Sequence, residues 1–407
     1  MPKRRFAGFC FLIAAQAFCT SLLNGQEPAD VFKAGFEKSG LIIVPGRVMD
    51  KDAMCVLDTG TSINVVDKVF AAQLAVSLKT QPIRTATGII KAERFERVST
   101  SCLLFPPLTG PAVAADLAGF SAVAGIQIDA FLGMDYLKPL ILEMQAGTPR
   151  FRVRADHEQN ATSISYEIRT VRELPFTDVE LPILGELPFM IDTGTADYCG
   201  MTAEWLQRLL SGNEAVLLEE ISMLDASGVK KKRTFAIREF KVFGITLRNV
   251  PVAELDVNVI GLGIMRHLNF ALDFENSVAY ASPSPHAVDS FALDASGLRT
   301  VFQQDNRLIV RRVVPDSTAE QNMIQTGDQI LQIDRRIASA LSFWEIRELL
   351  SQAGTTIPIK VKSGDQVRDV QLPLSRPFEY PPKWKPRSTQ AADFQKFIES
   401  ESKATPK

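Results

Sequence analysis

Twice along the chain, two apolar runs flank a short polar turn and end on the same three residues. The first is "LIIVPGRVMDKDAMCVLDTG", ending at Gly60, and the second is "LPFTDVELPILGELPFMIDTG", ending at Gly194. Each pattern predicts two strands joined by a hairpin, with an Asp-Thr-Gly-Thr turn beyond the second strand. An aspartate at the end of an apolar strand is costly to bury unless it is hydrogen-bonded. Asp58 and Asp192 occupy that position 134 residues apart. A single such turn is ordinary turn chemistry; two of them in matching contexts are an internal repeat.

The repeat extends further. "RTATGIIKAERF" around Thr87 and Gly88 matches "MLDASGVKKKRTF" around Ser227 and Gly228, each a small polar tip between strand-like flanks. "FLGMDYLKPLILEM" then matches "GLGIMRHLNFALDF", aligning Gly133 with Gly263. After "YASPSPHAV", which reads as a linker, the pattern changes. Strand, turn, short helix, Gly-Asp turn and strand follow in "LIVRRVVPDSTAEQNMIQTGDQILQIDRRIAS". "SFWEIRELLSQAG" places Phe343, Ile346, Leu349 and Leu350 at helical spacing, and "TIPIKVKSGDQVRDVQLPL" reads as a hairpin.

Composition narrows the chemistry. The 407 residues are 46% hydrophobic with a formal net charge of −2, so nothing suggests a nucleic-acid partner. There is no Cys-x-x-Cys pair, no His-rich cluster and no Gly-x-Ser-x-Gly elbow around the three histidines. Neither a metal nor another cofactor is expected, and a Ser-His-Asp hydrolase is disfavoured. "MPKRR" followed by "FAGFCFLIAAQAFCTSLL" reads as a secretory signal over residues 1–26, implying a periplasmic or secreted protein. An uncleaved membrane anchor is the alternative. Export leaves Cys55, Cys102 and Cys199, an odd number best read as core residues.

The repeated motifs resemble the aspartic proteases, the pepsin and retropepsin families. The implied fold is mostly β: two retropepsin-like acid-protease β-barrel lobes in tandem, about residues 34–156 and 166–283. In that resemblance Asp58 and Asp192 form the catalytic dyad. Gly60 and Gly194 let backbone amides approach the carboxylates, and Thr61 and Thr195 bond their outer oxygens. Thr59 and Thr193 correspond to the family's pair of threonines that clasp the opposite lobe. Gly133 and Gly263 leave room for the catalytic loops, and Thr87, Gly88, Ser227 and Gly228 form flap tips. The first flap lacks the tyrosine of the pepsins. Two departures stand out: Asp197 adds an acid beside the second motif, and Asp135 reads as a helix-start acid rather than a third catalytic carboxylate.

Residues 293–374 resemble a PDZ-like α+β domain of the type attached to exported bacterial proteases, most specifically at Thr326–Leu331. The resemblance implies a peptide added as a strand beside Arg299–Phe302, its terminal carboxylate held at Ser296, Gly297 and Leu298. As a tethered delivery module, such a domain would be removable after about Ser284 without loss of dyad chemistry on short peptides. The tail, 377–407, reads as disordered. The expected activity is hydrolysis of polypeptides by an exported aspartic endopeptidase. The rival is an idle peptide-binding scaffold with the same folds, and a third reading pairs each lobe with another chain.

Overall fold

The computed structural model describes residues 38–74, 79–85, 88–102, 107–146, 151–154, 164–225, 228–282 and 290–375. The segment expected to be a signal, the tail, Thr87 and Ser227 lie outside the described residues. The chain is mostly β.

The first half contains β1 (Ile43–Val48), β2 (Lys51–Leu57), β3 (Asn64–Asp67), β4 (Lys79–Thr85), β5 (Gly88–Cys102), β6 (Leu108–Ala115) and β7 (Ala130–Leu132). Three short helices accompany them: α1 (Lys68–Ala71), α2 (Ala118–Ala124) and α3 (Met134–Leu137). Asp67 starts α1 by accepting the amides of Val69 and Phe70. The strand order is β1-β2-β7-β3-β6-β5-β4, and a β1–β5 pairing closes six of the strands into a barrel.

After β8 (Ile141–Met144), β9 (Phe151–Arg154), β10 (Ile164–Glu167) and β11 (Arg169–Val171), the second half repeats the plan. Its strands are β12 (Leu174–Leu181), β13 (Gly185–Ile191), β14 (Cys199–Met201), β15 (Ala215–Asp225), β16 (Gly228–Val242), β17 (Ile245–Glu254) and β18 (Val259–Ile260). Helices α4 (Ala203–Ser211) and α5 (Leu262–Met265) belong to this half. The order β12-β13-β18-β14-β17-β16-β15, closed by β12–β16, matches the first half strand for strand. Parallel pairs recur at the same places, β2–β7 with β13–β18 and β3–β6 with β14–β17. Internal repetition in sequence has thus become repetition in topology.

The two halves are stitched by a five-stranded sheet in which β8 pairs with β19 (Asn269–Asp273), itself paired with β20 (Val278–Ser282). Alternating burial on β12 turns one face inward, and one apolar core runs through both halves.

The C-terminal domain has its own core and a sheet of β21 (Leu298–Phe302), β22 (Leu308–Val313), β23 (Gln329–Ile333), β24 (Arg336–Ile337), β25 (Thr356–Ser363) and β26 (Gln366–Pro373). Helix α6 (Thr318–Gln321) precedes β23, and α7 (Phe343–Leu350) starts with a reciprocal cap between Ser342 and Glu345. Ile346 and Leu350 of α7 enter this domain's core, whereas Trp344, with Phe291, enters the core of the two halves. The domain is therefore packed onto the barrels and is not a freely tethered module.

Candidate active site

Strands β2 and β13, one in the sheet of each half, end in the two Asp-Thr-Gly-Thr turns. Each aspartate's amide is fixed by the neighbouring parallel strand: Asp58 N–H donates to Leu132 O and Asp192 N–H to Ile260 O, both at 3.0 Å. Gly60 N–H donates to Asp58 Oδ1 and Gly194 N–H to Asp192 Oδ1, both at 2.8 Å. Each carboxyl then lies over the opposite turn. A Cβ on Gly60 would stand 2.5 Å from Asp192 Cγ, and one on Gly194 would strike Asp58 in the same way. Only glycine fits at either position, because the partner carboxyl occupies the space a side chain would need.

The two turns grip each other through buried threonines. Thr59 Oγ1 donates to Ile191 O at 2.6 Å, and Thr193 Oγ1 donates to Leu57 O at 2.7 Å. Their hydroxyl oxygens also accept the opposite amides, Thr193 N–H at 3.0 Å and Thr59 N–H at 3.1 Å. Both of these turns belong to the same chain. Thr193→Val is expected to destabilise the fold by about 1–3 kcal/mol, because it leaves Leu57 O and Thr59 N–H without their partner. Chemical denaturation of the variant checks this.

Burial holds both dyad carboxyls above the ordinary carboxylate range, and the charge of Asp192 raises Asp58 further. The two groups also hydrogen-bond each other, and both keep partial access to solvent. Such a pair shares a proton instead of ionising twice.

Several expected roles change. Thr61 Oγ1 donates to Ile63 O, and Thr195 Oγ1 accepts Asp197 N–H. Neither hydroxyl serves a carboxylate, since each bends back to close its own turn. Gly133 aligns with Gly261, not Gly263. Leu57 pairs with Leu132 and Ile191 with Ile260, so the residue after each strand is the true counterpart. Gly261 was hidden by the second glycine of Gly261-Leu262-Gly263. Gly263 still packs tightly: a Cβ there would lie 2.8 Å from the backbone of Tyr198. Asp197 faces Arg347 of α7, with 3.5 Å between Oδ1 and Nη2. Asp135 lies in the first turn of α3, whose N-cap is Gly133. Cys55, Cys102 and Cys199 are buried and unpaired, and burial pushes the Cys102 thiol up to about 11. His267 is buried and pushed down to about 3 by burial and by Arg266, so it is neutral.

The β4–β5 and β15–β16 hairpins, expected as flaps, pair out to Thr85↔Gly88 and Asp225↔Gly228. Among the described residues no cluster of three or more metal-ligating side chains occurs, and no helix is long and apolar enough to cross a membrane.

At the C-terminal domain, two of the three loop amides expected to hold a carboxylate are already satisfied. Ser296 N–H donates to Asp294 Oδ1 at 2.8 Å, and Leu298 N–H donates to Ser296 Oγ at 3.0 Å. Gly297 has φ +76° and is pressed against Ser317, so the turn requires glycine there. The strand beside it, β21, is the edge of its sheet and pairs only with β22. No curated protein matches the sequence. A family model described as the PDZ domain matches residues 292–362. The C-terminal part of this chain is a PDZ domain, a fold that typically binds peptides.

Proposed function

We propose that the chain is an exported aspartic endopeptidase whose two retropepsin-like lobes form one cleft around the Asp58/Asp192 dyad. The observation that carries this reading is the reciprocal seating of the two aspartates. Each lies over the glycine of the other turn, with the turns locked by Thr59 and Thr193. Turn statistics do not produce such a pair, whereas a shared-proton dyad needs it.

The chemistry follows from the shared proton. A water between the carboxyls gives one proton to the ionised carboxylate while its oxygen attacks the scissile carbonyl carbon. The protonated carboxyl gives its proton to the carbonyl oxygen, forming a neutral gem-diol. Collapse of the diol breaks the C–N bond: the amine leaves with the dyad's proton, and a diol hydroxyl gives its proton to the other carboxylate as the carboxylic acid forms, which restores one shared proton. Neither metal nor covalent intermediate is required by this sequence of steps.

The PDZ domain, in this reading, binds polypeptide by strand addition at β21, the edge strand of its sheet, short of Phe302, where Gly125 and Lys38 close against the strand. The occupied amides of Ser296 and Leu298 favour main-chain pairing over capture of a terminal carboxylate. The N-terminal apolar segment supports export.

A digest of an unfolded protein at several pH values, with mass spectrometry of the products, tests the proposal. Internal cleavages with a bell-shaped pH dependence are expected, since the dyad must hold one proton. Absence of cleavage at every pH would establish the scaffold reading instead.

A further inference from the structure

The two catalytic loops are held differently. In the first, Asn64 is buried and braces from within: its Oδ1 accepts Gly133 N–H at 2.9 Å and its Nδ2 donates to Thr100 Oγ1 at 3.0 Å. The second loop is one residue longer. Val65 lies seven positions after Asp58, and Gly200, its counterpart by cross-strand register, lies eight after Asp192. That register puts Cys199 where the first loop has Asn64. A buried thiol cannot make the two bonds of an amide. The amide of Gly261 goes instead to Tyr198 O at 3.0 Å, so the longer loop supplies the acceptor from its own backbone.

What fixes Tyr198 comes from the PDZ side. Its ring meets Phe291 edge-on at 4.9 Å and Trp344 of α7 at 6.3 Å. The Arg347 guanidinium lies 5.4 Å from the Tyr198 ring and 4.7 Å from Phe343, while Nη2 faces Asp197. Trp344 is 4% exposed, so this packing excludes water. Phe343 presses on Gly40, which separates it from Ala196 of the same catalytic loop. Trp344 and Arg347 therefore meet Asp197 and Tyr198 of the loop, and Phe343 reaches Ala196 through Gly40.

We propose that Trp344 and Arg347 of the PDZ helix are positioning residues for the second catalytic loop, replacing from outside the brace that Asn64 gives the first from within. The effect on turnover rests on the dyad reading; the effect on the loop does not. The PDZ helix is then a structural part of the catalytic centre.

The test combines kinetics on a short peptide with hydrogen exchange of the intact chain. Trp344→Leu, Trp344→Phe and Arg347→Gln are compared with Arg336→Gln, whose partner Glu345 lies within the PDZ domain. In Trp344→Leu and Arg347→Gln, the amides of Gly261, Leu262 and Gly263, which donate to the second loop, should exchange about tenfold faster. Those of Gly133, Met134 and Asp135 in the first loop should not change. Turnover should fall about tenfold to a hundredfold with KM nearly constant, because the carboxyl is misplaced while the flaps still bind substrate. Trp344→Phe, which keeps a ring, should restore most of it, and Arg336→Gln should match the wild type. Unchanged exchange at 261–263 in both variants overturns the proposal, as does an equal rise in both loops. If Trp344→Leu does not fold, Arg347→Gln, which keeps the aromatic packing, decides alone. Faster exchange at the second loop in a chain whose wild type cleaves nothing would sustain the positioning role and reject the protease reading.

Discussion

Asp192→Asn is expected to abolish peptide hydrolysis while leaving the protein folded, and Asp58→Asn to do the same. An amide in either place keeps the shape of the pair but cannot exchange a proton with the attacking water, so the remaining carboxylate has no acid partner. The folded state should gain from the change. Both carboxyls are raised by burial, and Asp58 also by Asp192. A raised acid binds its proton more tightly in the folded chain than in the unfolded one. Stability then falls as pH rises from the unfolded value, about 4, through the raised folded value. Replacing one aspartate removes its share of that fall. Asp58→Asn should therefore melt higher than the wild type near neutral pH, with the difference closing as pH drops below about 4. Thermal melts across pH, beside peptide cleavage, measure both effects. Wild-type turnover in either variant would end the dyad reading. A variant that is inactive but less stable at neutral pH would show that the carboxyls are not held protonated.

Much of this centre was legible because its constraints are local and occur twice. The apolar hairpins before Asp58 and Asp192, the obligatory glycines after them and the flap hairpins all recur in order, and the strand topology repeats with them. What escaped depends on register and on contacts distant in sequence. Gly261 and Gly263 are two residues apart, and only the pairing of Ile191 with Ile260 tells which of them matches Gly133. The hydroxyls of Thr61 and Thr195 were assigned to carboxylates, yet each is within reach of its own turn's backbone. Asp197 read as an unexplained acid because its partner, Arg347, lies in another domain. Trp344 stands off the stripe of Phe343, Ile346, Leu349 and Leu350, so a pattern search for one buried helix face passes over it. Helix α7 in fact buries two faces, one in each core. A large aromatic residue beside a helical stripe was the available signal for the second.

Removing residues 290–407 should cost activity on short peptides and on unfolded proteins in equal proportion, contrary to the behaviour of a tethered delivery module. Phe291 and Trp344 belong to the core of the barrels, and deleting them strips the cover from Tyr198 and His267. Loss of buried aromatic side chains of this size costs about 3–5 kcal/mol each where the site cannot collapse. The contacts extend beyond them. Glu219 on the second flap hairpin pairs with both Arg299 and Arg312, Arg266 of the second half pairs with Glu348 at 2.9 Å, and Lys38 Nζ donates to Leu341 O at 3.0 Å. The domain thus touches the Asp192 loop, the β15–β16 hairpin and the chain leading into the first barrel together. The Glu219 side chain is largely buried, so leaving it without Arg299 and Arg312 adds to the loss of the aromatic packing. A melting temperature lower by on the order of 10 °C is expected for the truncated chain. Its short-peptide turnover should fall even well below that temperature, because the second loop has lost its outer brace. Calorimetry and cleavage of one short peptide and one unfolded protein by both forms distinguish the outcomes. Full short-peptide turnover in the truncated chain, with only the long substrate affected, would restore the delivery model and show the interface to be incidental to catalysis.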